Sequence, residues 1–339
     1  MSMRPRDLLT RWGMIALFQS VALALSSFPA EAQETFPSRN LELIIPYGAG
    51  SSTDAWGRVV ADGLSRASGQ PVVAANHPGA TGLIGVRVLQ SAPADGHTLI
   101  LLANSIIIDQ VLKNRQDFDI RTDLVPVART LQAPMGIFVN NEVPVNSVSE
   151  FIDYLKAHPG ELNYASSGIG SVAQLLTEQF LLATGTEMNH IPYPAGNAAI
   201  SAAMMGGDIQ VLFADIPGLA PFAKDGKMKY LATLNDQRSP IFPDAPAISE
   251  VGIPELVGVF KPFFFGFFAA ADTDPAVVEK LAALAQATMQ DPVTRDRLVT
   301  LGYDAALLGG AGPDEFRQVI QEEFERVETI VRDAGITLE

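Results

Sequence analysis

Two short stretches combine residue types suited to holding an anion. Gly48 and Gly50 precede Ser51, Ser52, Thr53 and Asp54, and Ser166, Ser167, Gly168, Ile169, Gly170 and Ser171 repeat much of that mixture further on. Serine, threonine and aspartate are favoured helix N-caps, and the first-turn amides of a helix lack intrahelical partners. The helix dipole adds positive potential at that end, so each stretch can cradle a carboxylate with backbone amides and hydroxyls. Each is equally compatible with an ordinary strand-to-helix turn. The match between the two favours the anion reading.

Catalytic alternatives find less support. The phosphate-loop pattern Gly-x-x-x-x-Gly-Lys-Ser/Thr does not occur, and Thr53 stands where a dinucleotide loop needs its third glycine. Neither Ser51 nor Ser166 sits in Gly-x-Ser-x-Gly, so a secreted serine hydrolase using one of them is the weaker alternative. His77, His97, His158 and His190 lack metal-ligand spacing, and no metal or cofactor is expected.

The flanking sequence supplies the elements that must position these loops. Leu43-Ile44-Ile45 closes at Pro46 as a strand, and a helix is predicted from Ala55 to Ala67. Pro71 to Ala75 reads as a strand, residues 82–91 as a helix and Thr98 to Ala103 as a strand. This β-α-β-α-β rhythm predicts a parallel sheet with helices on its faces. Leu124 to Asn140 reads as extended. A second unit then begins, with a strand at Leu162 to Ala165, the loop at Ser166 to Ser171 and a helix from Val172 to Thr184. Lys229 to Leu234 and the apolar Phe263 to Phe268 read as strands. A long helix over Pro313 to Ala334 presents Glu322, Glu323, Glu325 and Arg326, expected as solvated charge.

Arg4, Arg6 and Arg11, the apolar stretch from Trp12 to Leu25 and the Ala30-Glu31-Ala32 site read as a cleaved export signal over residues 1–32. The apolar run is shorter than the roughly 20 residues of a spanning helix. The chain has no cysteine, which excludes disulfides, thiol catalysis and a lipid anchor on cysteine. A net charge of −15 argues against a nucleic-acid partner.

Taken together, several stretches resemble the extracytoplasmic solute receptors of the tripartite tricarboxylate transporter family, the Bug proteins. They are Phe36-Pro37-Ser38-Arg39, Ile45 through Asp54, Asn76-His77-Pro78-Gly79-Ala80-Thr81-Gly82, Tyr164 through Ser171, His190-Ile191-Pro192-Tyr193, and Arg238-Ser239-Pro240 with Phe242 through Pro246. The resemblance implies an α/β, two-domain periplasmic binding protein of the Venus-flytrap, type II-like kind, each domain a mostly parallel sheet flanked by helices. It implies residues 33–140 plus 231–339 as one domain and 141–230 as the other. Gly50, Ser51, Ser52, Thr53 and Asp54 become one arm on a small carboxylate, dicarboxylate or aromatic, with Tyr47 beside them. Ser166, Ser167, Gly168, Gly170 and Ser171 become the other. A monomer that delivers its ligand to the transporter's membrane components is implied, with a sensor for a two-component system as an alternative role.

Departures from the family pattern mark this chain. Ser51 replaces a second glycine, and Gln174 stands at a position that is often histidine. Asp215 carries a carboxylate shifted by one residue, facing the cleft in this reading. Lys261 and the phenylalanines from Phe263 to Phe268 are candidates for the cleft wall.

Overall fold

The computed structural model describes residues 36–193, 197–261, 263–303 and 309–336. The expected export signal at 1–32 lies outside the described residues.

Short apolar runs ended by proline or polar turns form two five-stranded sheets. The first contains β1 (Leu41–Ile45), β2 (Val72–Asn76), β3 (Thr98–Ala103), β4 (Leu124–Ala133) and β10 (Phe263–Ala270), in the order β2-β1-β3-β10-β4. The second contains β5 (Met135–Val139), β6 (Asn163–Ser166), β7 (Asn189–Pro192), β8 (Val211–Asp215) and β9 (Lys229–Thr233), in the order β7-β6-β8-β5-β9.

The two orders are the same pattern. In each sheet the first three strands pair in parallel, and a strand arriving from the other sheet inserts antiparallel before the edge strand. The chain therefore crosses twice, from β4 into β5 and from β9 toward β10. This exchange gives the two-lobed, type II-like α/β architecture, with mixed sheets because each inserted strand runs against its neighbours.

The expected boundaries at 140 and 231 do not coincide with the places where the sheets change. Pro134 divides the extended run expected from Leu124 to Asn140: it has no amide hydrogen for a ladder, and Met135–Val139 pairs with β8 and β9. At the return, Lys229–Thr233 stays in the second sheet, and Leu234, Ile248, Leu256 and Phe260 bury in its core. The crossing back comes only before Phe263.

The helices flank these sheets in sequence, several of them begun by a serine cap, as at Ser51, Ser147 and Ser171. They are α1 (Ser52–Ser68), α2 (Leu83–Ser91), α3 (Ser105–Leu112), α4 (Ile120–Asp123), α5 (Val148–Ala157), α6 (Val172–Thr184), α7 (Asn197–Gly206), α8 (Ile216–Lys224), α9 (Pro275–Gln290), α10 (Pro292–Thr300) and α11 (Pro313–Asp333). Helix α3 was not legible in the sequence, because Ile106, Ile107 and Ile108 prolong the apolar run of β3 and blur the change of period.

One expectation for α11 is overturned. Glu323 is buried, accepting a hydrogen bond from Asn104 Nδ2 at 2.8 Å and another from Arg326 Nε at 2.9 Å. A buried carboxylate needs such partners to offset its lost hydration. The network ties the terminal helix to Asn104, the residue that begins α3.

Candidate binding cleft

The two loops picked out in the sequence are built from the same bonds. In the first, the Ser51 amide donates to the Gly48 carbonyl at 3.2 Å, and Gly50 takes φ +80°. In the second, the Ser171 amide donates to Gly168 at 3.1 Å, and Gly170 takes φ +77°. Such turns require positive φ at their third residue, which glycine adopts without steric cost. Each serine then caps its helix: Ser51 Oγ accepts from the Asp54 amide at 3.1 Å, and Ser171 Oγ from the Gln174 amide at 3.4 Å. The side chain of the residue so capped reaches back, Asp54 Oδ2 to the Gly50 amide at 2.9 Å and Gln174 Oε1 to the Gly170 amide at 2.8 Å. The true correspondence is therefore Gly48 to Asp54 with Gly168 to Gln174. Pairing Gly50 with Ser166, as the residue types first suggest, is out of register.

These bonds consume the amides of residues 50, 51, 54 and 55, and of 170, 171, 174 and 175. The orphan donors of each helix are thus its first two positions, 52 and 53 in α1 and 172 and 173 in α6.

Both loops line one cavity of about 670 Å³. Tyr47, Gly50, Ser51 and Thr53 stand on one side, and Ser167, Gly168, Gly170, Ser171, Val172 and Ala173 on the other. Met135, Phe213, Phe263 and Phe265 supply apolar wall. Ser52 opens α1 between these residues, at its first helical position.

Asp54 does not line the cavity. The residue is 5% exposed, its carboxylate turned into the protein, where Asn76 Nδ2 donates at 2.8 Å and Arg58 Nε lies at 3.0 Å. Burial pushes its pKa up, but the bonds from Asn76, the Gly50 amide and Arg58 outweigh that and hold it below the usual carboxylate range. Its place is that of a loop clamp.

Ser166, unlike Asp54, does line the cavity, at the base of the second loop. It is fully buried, and its Oγ accepts from the Gly168 amide at 3.1 Å and lies 2.6 Å from His190 Nε2. That pair is half of a hydrolytic triad in composition only. The oxygen is engaged by Gly168 and His190, and among the described residues no carboxylate bonds the His190 ring. His190 stacks on Tyr164 at 4.9 Å, and burial lowers its pKa. Ser167, by contrast, is exposed on the cavity wall.

Tyr47 donates no charge but fixes the loop to β3, its hydroxyl accepting the Ala103 amide at 3.2 Å. Burial raises its pKa, so it stays a neutral phenol. Asp215 lines the opposite side, capping α8 through the Gly218 amide at 3.0 Å, and burial pushes its carboxyl up. Lys261 is exposed and lies away from the cavity. Phe263 and Phe265 face the cavity, whereas Phe264 and Phe268, on the other face of β10, pack on Phe316.

Sequence reasoning missed the wall supplied by Thr81 and by α3: Ser105, Asp109 and Lys113. The one signal available was the i, i+4 spacing of Asp109 and Lys113, and it has meaning only once α3 is known to be a helix.

The comparisons with known proteins agree with this architecture. The family model described as the tripartite tricarboxylate transporter family receptor, TctC, matches residues 57–336. Protein BugT of Bordetella pertussis is 32% identical, the match covering 94% of this chain and 96% of that protein. A structure from R. palustris solved with adipate is 29% identical with a TM-score of 0.77, covering 89% of this chain and 99% of the other. MatC of Rhodopseudomonas palustris, with bound malate, is 26% identical with a TM-score of 0.72, covering 87% and 100%. These relatives are solute-binding receptors and not enzymes. The chain belongs to the tripartite tricarboxylate transporter receptor family, as a Bug-type solute-binding protein.

Proposed function

We propose that this protein captures a small carboxylate in the periplasm, holding it in the cleft between its two lobes, and delivers it as a monomer to the membrane components of a tripartite tricarboxylate transporter. The observation that carries the reading is the pair of Gly-x-Gly-Ser loops with matched hydrogen bonds, whose helices open at one cavity lined by Thr53, Val172 and Ala173. Charge-assisted hydrogen bonds contribute about 1.5–3 kcal/mol each, so three or four reach the roughly 8 kcal/mol of micromolar affinity. Ser167 and Thr53 add hydroxyls beside the helix-opening amides. The adipate and malate found with relatives support a carboxylate as the ligand class. The crossings at Pro134 and before Phe263 serve as the hinge.

Trp56 offers a direct readout. It is buried and stacks on the cavity residue Phe265, ring centroids 5.3 Å apart. Titrating the protein with mono- and dicarboxylates should give saturable changes in Trp56 emission and a rise in melting temperature. Absence of any response across the panel sinks the reading. Delivery is tested separately, by loss of uptake of the bound carboxylate in cells lacking the gene.

A further inference from the structure

Among the described residues lining the cavity, Lys113 is the one cation; the other charged groups are Asp109 and Asp215. Lys113 ion-pairs with Asp109, one helical turn away. That pairing alone would make it a structural lysine. Asp109, however, does not depend on it. The Asp109 carboxylate also receives Arg115 Nε at 2.8 Å and the Thr81 hydroxyl at 3.0 Å. Arg115 is only 19% exposed, so its bond is shielded from competing water in a way that the more exposed Lys113 is not.

The surrounding charges are unbalanced in the same direction. Arg115 and Arg87 also pair with Asp117, at 3.4 and 3.1 Å. The chain of contacts from Lys113 through Asp109, Arg115 and Asp117 to Arg87 thus holds three cations for two carboxylates, and its cavity end is Lys113. Of those three cations Lys113 is the one that stands on the cavity wall, where it can meet negative charge.

The backbone beneath agrees. Ala80 and Thr81 both take positive φ, +47° and +55°. Left-handed backbone at a β-branched residue costs roughly 1–2 kcal/mol and persists where the surroundings enforce it. Here that conformation delivers the Thr81 hydroxyl to Asp109 and onto the cavity wall.

We infer that Lys113 is the specificity-determining residue for a second negative group on the ligand: it leaves Asp109, which Arg115 and Thr81 keep satisfied, and pairs with the distal carboxylate of a dicarboxylate whose first carboxylate sits on the loop amides. The inference rests on the carboxylate-receptor reading above. Exchange of one ion-pair partner for another costs Lys113 little desolvation that it has not already lost, whereas a ligand with a single carboxylate leaves that exchange unmade.

The test measures dissociation constants for the straight-chain dicarboxylates from malonate to adipate and for malate, each beside the monocarboxylate of the same length. Wild type, Lys113→Met and Lys113→Arg are compared by calorimetry and Trp56 emission. The wild type should prefer its best dicarboxylate over the matched monocarboxylate by roughly 10- to 100-fold, the size of one charge-assisted bond. Lys113→Met should erase most of that preference while leaving monocarboxylate affinity within about 2-fold, and Lys113→Arg should restore it. A preference that survives Lys113→Met, or a wild type indifferent to the second carboxylate, overturns the role of Lys113 and leaves the carboxylate reading standing. Binding to no carboxylate of either kind overturns that reading, and this inference with it. Lys113→Met should also melt within about 1 °C of wild type, because Arg115 holds Asp109; a variant that fails to fold refutes the exchange directly.

Discussion

The two loops that face each other across the cleft share a backbone and differ in how it is locked. In the first, the residue reaching back to the glycine amide is Asp54, a buried carboxylate with Asn76 and Arg58 as further partners. In the second it is Gln174, a neutral amide, and the extra fastening comes from below, where Ser166 holds Gly168 and contacts His190. One geometry is thus reached by a charged clamp on one lobe and an uncharged one on the other. The difference follows from the surroundings: Arg58, one turn along α1, supplies the cation that Asp54 needs, and neither Glu178, the residue one turn past Gln174, nor the nearby His190 offers one. A carboxylate in the second loop would be buried with no positive partner.

Removing the reach-back residue should expose this difference most strongly. Asp54→Ala takes a partner from Asn76, from Arg58 and from the Gly50 amide at once, and should lower stability by about 2–3 kcal/mol in denaturant melts, the half-exposed Arg58 contributing least. Gln174→Ala strands one amide and should cost about 1–2 kcal/mol. Equal losses would mean that Asn76 and Arg58 contribute nothing to the first clamp.

The glycines sharpen the comparison next. Gly50 and Gly170 have nearly the same φ, so alanine pays the same backbone strain at both, about 1 kcal/mol. A methyl at Gly50 meets nothing within 4 Å, whereas at Gly170 it lands 2.4 Å from Leu112 Cδ1. Gly170→Ala should therefore cost about 2–3 kcal/mol against about 1 for Gly50→Ala. The excess should vanish when Leu112 is also shortened to alanine. If it does not, the contact between the second loop and α3 is not what separates the two sites.

The loops should also part under acid. His190 has its pKa lowered from 6.5 by burial, so the unfolded chain takes the proton first and stability drains away as pH falls through 6.5 toward the folded value. Asp54 is held below 3.8, so its contribution is intact above 3.8 and lost as pH falls below it. Between pH 7 and 5 the second lobe should soften while the first does not. His190→Gln should flatten the melting temperature over that interval, and Asp54→Asn should leave its slope unchanged. A wild-type slope that persists in His190→Gln would place the titration elsewhere.

How far the sequence carried these loops depends on what held them. Strand-loop-helix order was legible because proline, glycine and cap residues act locally. The register between the loops was also present, as Gly48-Ala49-Gly50-Ser51 against Gly168-Ile169-Gly170-Ser171, but Ser166 and Ser167 match the first loop by residue type and mask it. The inward turn of Asp54 and the bonding of Ser166 were not legible, since each depends on partners 22 to 24 residues away, Asn76 and His190. The same holds for Glu323, whose burial is decided by Asn104, 219 residues distant. Helix α3 escaped because three isoleucines fit a buried strand as well as a buried helix, and with it went Lys113. The crossing at Pro134 was visible as a proline within an extended run, yet its meaning required knowing that β5 pairs in the other sheet.

The smallest effect concerns Ser51, the residue that distinguishes this chain from the two-glycine pattern it resembles. Its hydroxyl lies on the cavity wall, which suits a ligand contact, but it already accepts the Asp54 amide at 3.1 Å as the N-cap of α1. Replacing a cap serine with glycine costs only a few tenths of a kcal/mol, because water reaches the freed amide. Ser51→Gly should therefore change stability by that little and leave carboxylate affinity within about 2-fold, less than half the ~1.4 kcal/mol that a tenfold change represents. Ser171→Gly should behave alike, with a still smaller stability change, since its cap bond is longer at 3.4 Å. A tenfold loss of affinity in Ser51→Gly, with Ser171→Gly unaffected, would show that the first serine serves the ligand as well as the helix, and the two arms would then differ in chemistry as well as in fastening.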